Sequence, residues 1–464
     1  MVYYNIEDIK IPAGNFAYVY DATQSEELYK KFYDAEKNLK VDYIDCAHKL
    51  RIAFEAFALH EEAEKCCKQE ANKGKSLEQV KEKLISEIKQ PASIMNYKNI
   101  IIGLCDSRED DFSDMLFKYG FIKQPEDKNE VRRKLKQFIR YLYSFGSENS
   151  HENISVKDKY VPNRENCIKT VGAFHDFLSI YYAVPKKFDS TLVPVRDYIP
   201  VPKNVCEKMG LTLDTGKYLF VKEKSGNIAY YIFSSDTESI TIAQRRDIDT
   251  ISKLWEDNFE DPANIIRQNE NISGSNGDYR FQVYSLPNKP MKLTYEMVSS
   301  LGMDEKMDII LGICRGVSTI HNYEPALYHR NISPDAFYIF DIKGKYKALL
   351  AKFDCIKDTA NANFTVYYNV EKKAQNKTTN QFFAPEVLAS NMGQGVDWEK
   401  ADIYSLAKTC LYIITGDIVE SAEDIEKIEE CNIDDGIIII LIEMLDNDPE
   451  ARPTLNELME AFKI

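Results

Sequence analysis

Residues 24–69 contain neither glycine nor proline, and apolar side chains recur through them at helical spacing: Leu28, Phe32, Ala35, Leu39, Tyr43, Cys46, Leu50, Ile52, Ala53 and Phe57. A stretch of this kind commits the front of the chain to long helices. The same periodicity predicts further helices over Leu77–Lys89, Asp111–Tyr119, Lys128–Phe145 and Asn166–Tyr182. Pro185, Pro194, Pro200 and Pro202 then interrupt the pattern and read as a linker. Beyond them the period changes. Lys217 to Phe233 predicts two alternating strands, Tyr218–Glu223 and Asn227–Phe233, joined by a Lys-Ser-Gly-Asn turn. The expectation is an α+β multidomain chain. It has an all-helical domain over 1–185, a linker over 186–202, a small sheet with one helix over 203–290, and a helical lobe over 291–464.

Composition narrows the functional classes. Lys+Arg 59 against Asp+Glu 74 leaves a net charge of −15, which disfavours a broad nucleic-acid surface. The 10 cysteines are scattered, Cys66-Cys67 excepted, with no C-x-x-C or His-Cys cluster, so reduced thiols in a cytoplasmic protein are expected. Ile437–Ile442, the most apolar run, is far too short for a membrane span, and Met1 to Asn5 carries no signal-peptide pattern. The abundance of Tyr, Asn, Ile and Lys matches a bias of AT-rich bacterial genomes.

The carboxy-terminal half carries an ordered series of short segments. His329-Arg330-Asn331-Ile332-Ser333-Pro334-Asp335-Ala336 comes first, followed, after a hairpin centred on Gly344, by Leu350-Ala351-Lys352-Phe353-Asp354. Next come Ala384-Pro385-Glu386 and Asp402-Ile403-Tyr404-Ser405-Leu406, then Asp448-Pro449 and Ala451-Arg452-Pro453-Thr454. In this order they resemble the H-R-D-L-K-P-E-N, L-A-D-F-G, A-P-E, D-x-W-S-L and D-P-x-x-R-P-T segments of protein kinases. The resemblance implies a bilobal kinase-like domain.

It also implies lost chemistry. A kinase uses the loop Asp to accept the substrate's proton and the loop Asn to hold magnesium. Those positions carry Asn331 and Ala336, and the loop Lys is Ser333. In the next segment the metal-binding Asp is Lys352 and the Gly is Asp354; a register two residues later would make Asp354 the ligand but lose the Leu-Ala and Phe matches. Lys352 could substitute for a cation's charge, pair with Asp354 or Glu256, or simply be solvated. If Ile228-Ala229-Tyr230-Tyr231 corresponds to V-A-I-K, the phosphate-pairing Lys is Tyr231. Leu211, Leu213 and Gly216 fall on the three loop glycines. Counting back from Pro262-Ala263-Asn264-Ile265-Ile266-Arg267, which is similar to H-P-N-I-V-R, Ile251 to Leu254 sit near the helix Glu, with Glu256 a turn late. The supporting positions His329, Arg330, Pro334, Phe353, Ala384, Pro385, Glu386, Asp402 and Arg452 are retained. The resemblance implies a Glu386–Arg452 ion pair, and an Asp402 that accepts hydrogen bonds from the loop backbone.

A second resemblance, to HEPN-type helical domains, rests on Ala47-His48-Lys49-Leu50-Arg51, on the run from Leu142 through Gly146 to His151, and on Phe174 to Tyr182. Active members are metal-independent ribonucleases with an Arg and a His a few residues apart. Here His151 has Arg140 as its nearest upstream arginine, so both are weak candidates, and His151 reads as a cap or surface residue. Arg132, Arg133, Lys134, Lys136 and Arg140 form a basic face open to RNA, although such runs are more often solvated. The family's habit of dimerising implies a homodimer through the helices.

The leading expectation is a pseudokinase scaffold that binds a protein partner, with no cofactor; ATP without magnesium is allowed but not expected. Groups that act as a unit lose most of their activity together. Thr365, Tyr367 and Tyr368 could accept a phosphate facing Arg330. Bacterial signalling or defence is the setting suggested, by fold-level analogy alone. The alternatives are a HEPN-type ribonuclease regulated by the kinase-like part, and an atypical kinase or nucleotide-binding transferase.

Overall fold

A computed structural model describes residues 2–6, 8–69, 73–90, 95–123, 128–148, 162–211, 217–224, 227–234, 249–255, 264–274, 280–359, 380–390, 393–419 and 433–461. The chain is helix-rich with small sheets and divides into two compact units. The first comprises Met1–Met209 with Phe220–Glu223 and Ile272–Tyr279; the second comprises Gly210–Leu219, Lys224–Asn271 and Arg280–Ile464.

The first unit begins with a hairpin that the helical pattern of the sequence does not reveal. Strands β1 (Tyr3–Ile6) and β2 (Ile9–Pro12) pair antiparallel, with Tyr3 opposite Pro12 and Ile6 opposite Ile9. Val2, Tyr4 and Ile6 are buried, and the Tyr4 hydroxyl donates to the Pro200 carbonyl at 3.0 Å. Helices follow: α1 (Ala17–Thr23), α2 (Glu26–Glu36), α3 (Tyr43–Cys67), α4 (Leu77–Ile88), α5 (Tyr97–Cys105), α6 (Ser113–Lys118), α7 (Lys128–Glu148) and α8 (Arg164–Tyr181). β3 (Ile199–Pro200) and α9 (Lys203–Lys208) come next. Within the segment 186–202, read above as a linker, Val193, Val195 and Tyr198 are buried, and the Arg196 amide donates to the Lys37 carbonyl at 3.3 Å.

The run 24–69 is two helices rather than one. No glycine or proline breaks it. Asp42 does so by accepting from the Ile44 and Asp45 amides at 3.0 Å each, and Asn38 bonds Asp45 at 2.8 Å. Short polar side chains offer the backbone a non-helical alternative, which is how a cap can interrupt a good helical pattern. α3 is then buried on several sides, through Cys46, Leu50, Phe54, Phe57 and His60 among others, because α2, α4, α5, α7 and α8 all pack on it. Its aromatic contacts include Phe54–Phe174 and Phe57–Phe177, with centroids 5.7 and 5.9 Å apart. At Gly146, α7 lies close against α3. A Cβ there would lie 2.5 Å from the Arg51 Cβ and 2.7 Å from the Ala47 carbonyl oxygen.

The second unit contains β4 in part (Lys217–Lys224), β5 (Asn227–Ser234), α10 (249–255), most of β6 (Arg267–Ser273), β7 (Arg280–Leu286), α11 (Tyr295–Ser300) and α12 (Met303–His321). β8 (Leu327–Tyr328), β9 (Phe337–Ile342), β10 (Lys345–Leu350) and β11 (Lys357–Asp358) follow, then α13 (Pro385–Ala389), α14 (Trp398–Thr415), α15 (Asp435–Glu443) and α16 (Leu455–Ala461). β5 and β7 are antiparallel, with Tyr231 opposite Ser285. β9 and β10 form a hairpin that packs on α12, and α14 is buried along nearly its whole length. Among the described residues, no helix is long and apolar enough to cross a membrane.

Candidate functional site

Two loops meet beside the β9–β10 hairpin. β8 pairs with β11, Tyr328 opposite Lys357 and Leu327 opposite Asp358, so residues 329–336 and 351–356 leave one short ladder together. Asp402, on α14 and 1% exposed, holds the first loop. Its carboxylate accepts from the His329 amide at 2.6 Å, from the Arg330 amide at 2.8 Å, and lies 3.1 Å from the His321 Nε2. Arg330 needs that grip, because its φ of 61° lies in the left-handed region that a side chain disfavours. The second loop has a matching feature in Lys352, at φ 62°. Buried His329 joins the two loops, its Nε2 lying 2.9 Å from the Ala351 carbonyl oxygen.

The Arg330 side chain crosses to the second loop. Its Nε donates to the Cys355 carbonyl at 2.5 Å and its Nη2 to that of Ile356 at 3.3 Å, and the guanidinium stacks 5.1 Å from the Trp398 ring. Burial, with the Arg330 charge beside it, pulls the Lys357 ammonium below the ordinary lysine range. Farther along the chain, Arg452 bonds Glu386 at 2.7 and 2.9 Å in a two-pronged pair. It also donates to the Asp446 and Lys400 carbonyls at 2.8 and 3.0 Å, so its planar fork is filled.

The positions expected to carry chemistry lie among these supports. Asn331 is 7% exposed, and its Oδ1 is buried without a hydrogen-bond partner. Ser333 and Ala336 are buried in the same loop, and Pro334 to Ala336 form a single 3-10 turn leading into β9. Phe353 is buried with its ring 5.5 Å from that of His329, whereas Lys352 and Asp354 are half-buried. Ala384 is buried and Pro385 opens α13. Tyr231 lies mid-way along β5. Ile251 and Leu254 on α10 are buried apolar residues, and Glu256 lies outside the described residues. The Asn264 Nδ2 donates to the Ala348 carbonyl, and its own carbonyl accepts from the Leu350 amide, so residues 264–266 border β10 through a single bridge at Ile265.

Chemically, Asn331 offers an amide with no useful basicity, and Ala336 offers no side-chain oxygen. Among the described residues, no cluster of three His, Cys, Asp or Glu side chains is arranged as metal ligands are.

His151 lies outside the described residues, as do Leu213, Gly216, Thr365, Tyr367 and Tyr368. Arg140 is exposed on α7. The basic face around it is partly neutralised. Arg132 pairs with Asp106 at 3.0 Å, and Arg133 lies 3.6 Å from Glu130. Sequence reasoning missed His321 and Trp398, which complete the grip on the first loop. Neither carries a local signal, since each matters only through a partner distant along the chain.

No family model matches the chain. It is similar to a protein of Acanthamoeba polyphaga mimivirus that is provisionally named a serine/threonine-protein kinase. The two are 24% identical over 216 residues, which cover 42% of this chain and 72% of the relative. The similarity is distant and kinase-like.

Proposed function

We propose that the second unit is a pseudokinase, a kinase-like scaffold without phosphoryl-transfer chemistry, and that it binds a protein partner. In this reading the first unit is a HEPN-like helical module that brings two copies together, in bacterial signalling or defence. One observation carries the proposal: the carboxylate of Asp402 grips His329 and Arg330, while the residue directly after them, Asn331, is a neutral amide. The framework that would position a catalytic base is built, and no base stands in it. Positioning without the reacting group gives no phosphoryl transfer.

The test is the purified full chain with γ-labelled ATP and magnesium or manganese. No label reaching any protein acceptor is the expected result. Transfer abolished by Asn331→Ala or Lys352→Ala would overturn the proposal. Thermal melts add a second reading. A nucleotide bound to the folded state at a hundredfold excess over Kd would stabilise it by about 2.7 kcal/mol, and no such shift is expected at millimolar ATP.

A further inference from the structure

Glu36 closes a joint in the first unit that the proposed function does not use. It ends α2 and is fully buried, yet among the described residues the donors reaching its two oxygens, at 2.6 to 3.1 Å, belong to one uncharged residue, Asn15. The Asn15 side chain extends the joint outward. Its Nδ2 donates to the Asp189 carbonyl at 2.9 Å, and its Oδ1 accepts from the Asp189 amide at 2.8 Å. Asp189 lies in the segment 185–191 that follows α8, where Phe188 is half-buried and the other six residues are exposed. Its remaining ties include the Phe188 ring, 5.8 Å from that of His175, and the Lys186 backbone on the Ser179 hydroxyl at 3.2 and 3.3 Å. Segments with few buried contacts and exposed hydrogen bonds are those that open locally.

A carboxyl sealed from water and met by neutral amides resists ionisation. Burial outweighs the Asn15 donors and the Lys40 charge, and pushes the group up to about 7. The other titratable groups facing it are Tyr18 of α1, Tyr29 and Tyr33 of α2, and Cys46 of α3. All four are raised above their ordinary ranges, the tyrosines chiefly by burial and Cys46 chiefly by its hydrogen bond with Cys167, so they stay neutral. We propose that Glu36 and Asn15 form a pH-sensitive clasp: shut on the acid side of neutrality, it lets the 185–191 segment and the Asn15 side chain lift away locally as the carboxyl ionises, while the helices stay folded. The direction follows from linkage. In the open form water reaches Glu36 and its carboxyl returns to the ordinary range, so each pH unit between that range and about 7 favours opening about tenfold. Above that window both forms are ionised and the gain stops.

The Asn15 and Asp189 amides report the clasp directly, since each donates one of its hydrogen bonds. Their hydrogen exchange is followed by NMR on the full chain from pH 5 to pH 8, with the intrinsic rate divided out at each pH. Protection should fall on the order of fiftyfold across that range and level off above about 7. At every pH both amides should be at least about tenfold less protected than those of Leu50 and Phe54 in α3, which report opening of the whole unit. In Glu36→Gln the protection of the clasp amides should not change with pH. The carbon-13 signal of the Glu36 carboxyl supplies a reading that needs no variant, and it should titrate with the loss of protection. The proposal is overturned if the clasp amides are as protected as those of α3, or if their protection is flat with pH in the wild-type chain. It is overturned equally if the fall survives in Glu36→Gln, or if the Glu36 carboxyl titrates in the ordinary carboxylate range.

Discussion

Each unit is tied together by a glutamate, and the two glutamates are satisfied in opposite ways. Glu386 meets an arginine: Arg452 is 0% exposed in its side chain, while Glu386 keeps 20%, so a full positive charge answers the carboxylate at the edge of water. Glu36 in the helical unit is 0% exposed and is met mainly by amides. The Asn15 backbone N–H donates to both of its oxygens at 3.0 and 3.1 Å, and the Asn15 side chain donates at 2.6 Å. Asn15 in turn bonds the Asp189 backbone at 2.9 and 2.8 Å, so Glu36 is linked through Asn15 to the segment that follows α8. The difference shows in the proton. Burial pushes the Glu36 carboxyl up to about 7, although the Asn15 donors and Lys40 pull the other way. Neutral donors hold a buried carboxyl in place without fully compensating its charge.

The sharpest break of this comparison is Arg452→Met. It strands Glu386 and empties a filled fork, and should cost on the order of 3 kcal/mol or more by urea unfolding. A loss below about 1 kcal/mol would show that the pair contributes no more than an exposed one. The second test is pH. Between the ordinary carboxylate range and about 7, folded Glu36 keeps a proton that the unfolded chain has released. Its contribution is therefore full at the acid end of that window and is lost as pH rises through it, by an amount on the order of 3 kcal/mol. Relative to Glu36→Gln, the wild-type chain should lose stability from pH 5 to pH 8, and parallel curves for the two would refute the assignment.

Smaller effects test packing rather than charge. Gly146→Ala drives a methyl into the Arg51 Cβ and should cost roughly 1–3 kcal/mol, read as a fall in the melting temperature. Gly14→Ala presses the Glu36 tie itself, since the new Cβ would lie 2.5 Å from the carboxylate at a φ of +89°. Ser76→Ala removes the α4 capping box and should cost about 1 kcal/mol, with little change in the rest of the unit.

Local chemistry was legible where it is self-contained. The helical periods of 77–89 and 128–145 and the Gly344 hairpin are written in neighbouring residues, and the helices and turn lie close to those bounds. The break before Tyr43 was not seen, because a lone Asp-to-amide cap is weak against a strong apolar period. The β1–β2 hairpin was missed for a related reason. Its strands are four residues each, and the burial that favours them comes from residues far along the chain, such as Pro200. In the candidate site, the identities Asn331, Ala336 and Lys352 could be read directly, whereas the roles of His321 and Trp398 could not.

What the sequence determined by itself is the inventory: which groups can ionise, which cannot hold a proton or a metal, and where the chain must be helical. Only tertiary structure decided which of those groups meet. The Asp402 carboxylate closes on His329 and Arg330 across more than 70 residues of chain, and Glu36 acquires its proton only because packing removes the water around it. Hydrogen-bond geometry and desolvation belong to the folded neighbourhood, and no single position in the chain encodes them.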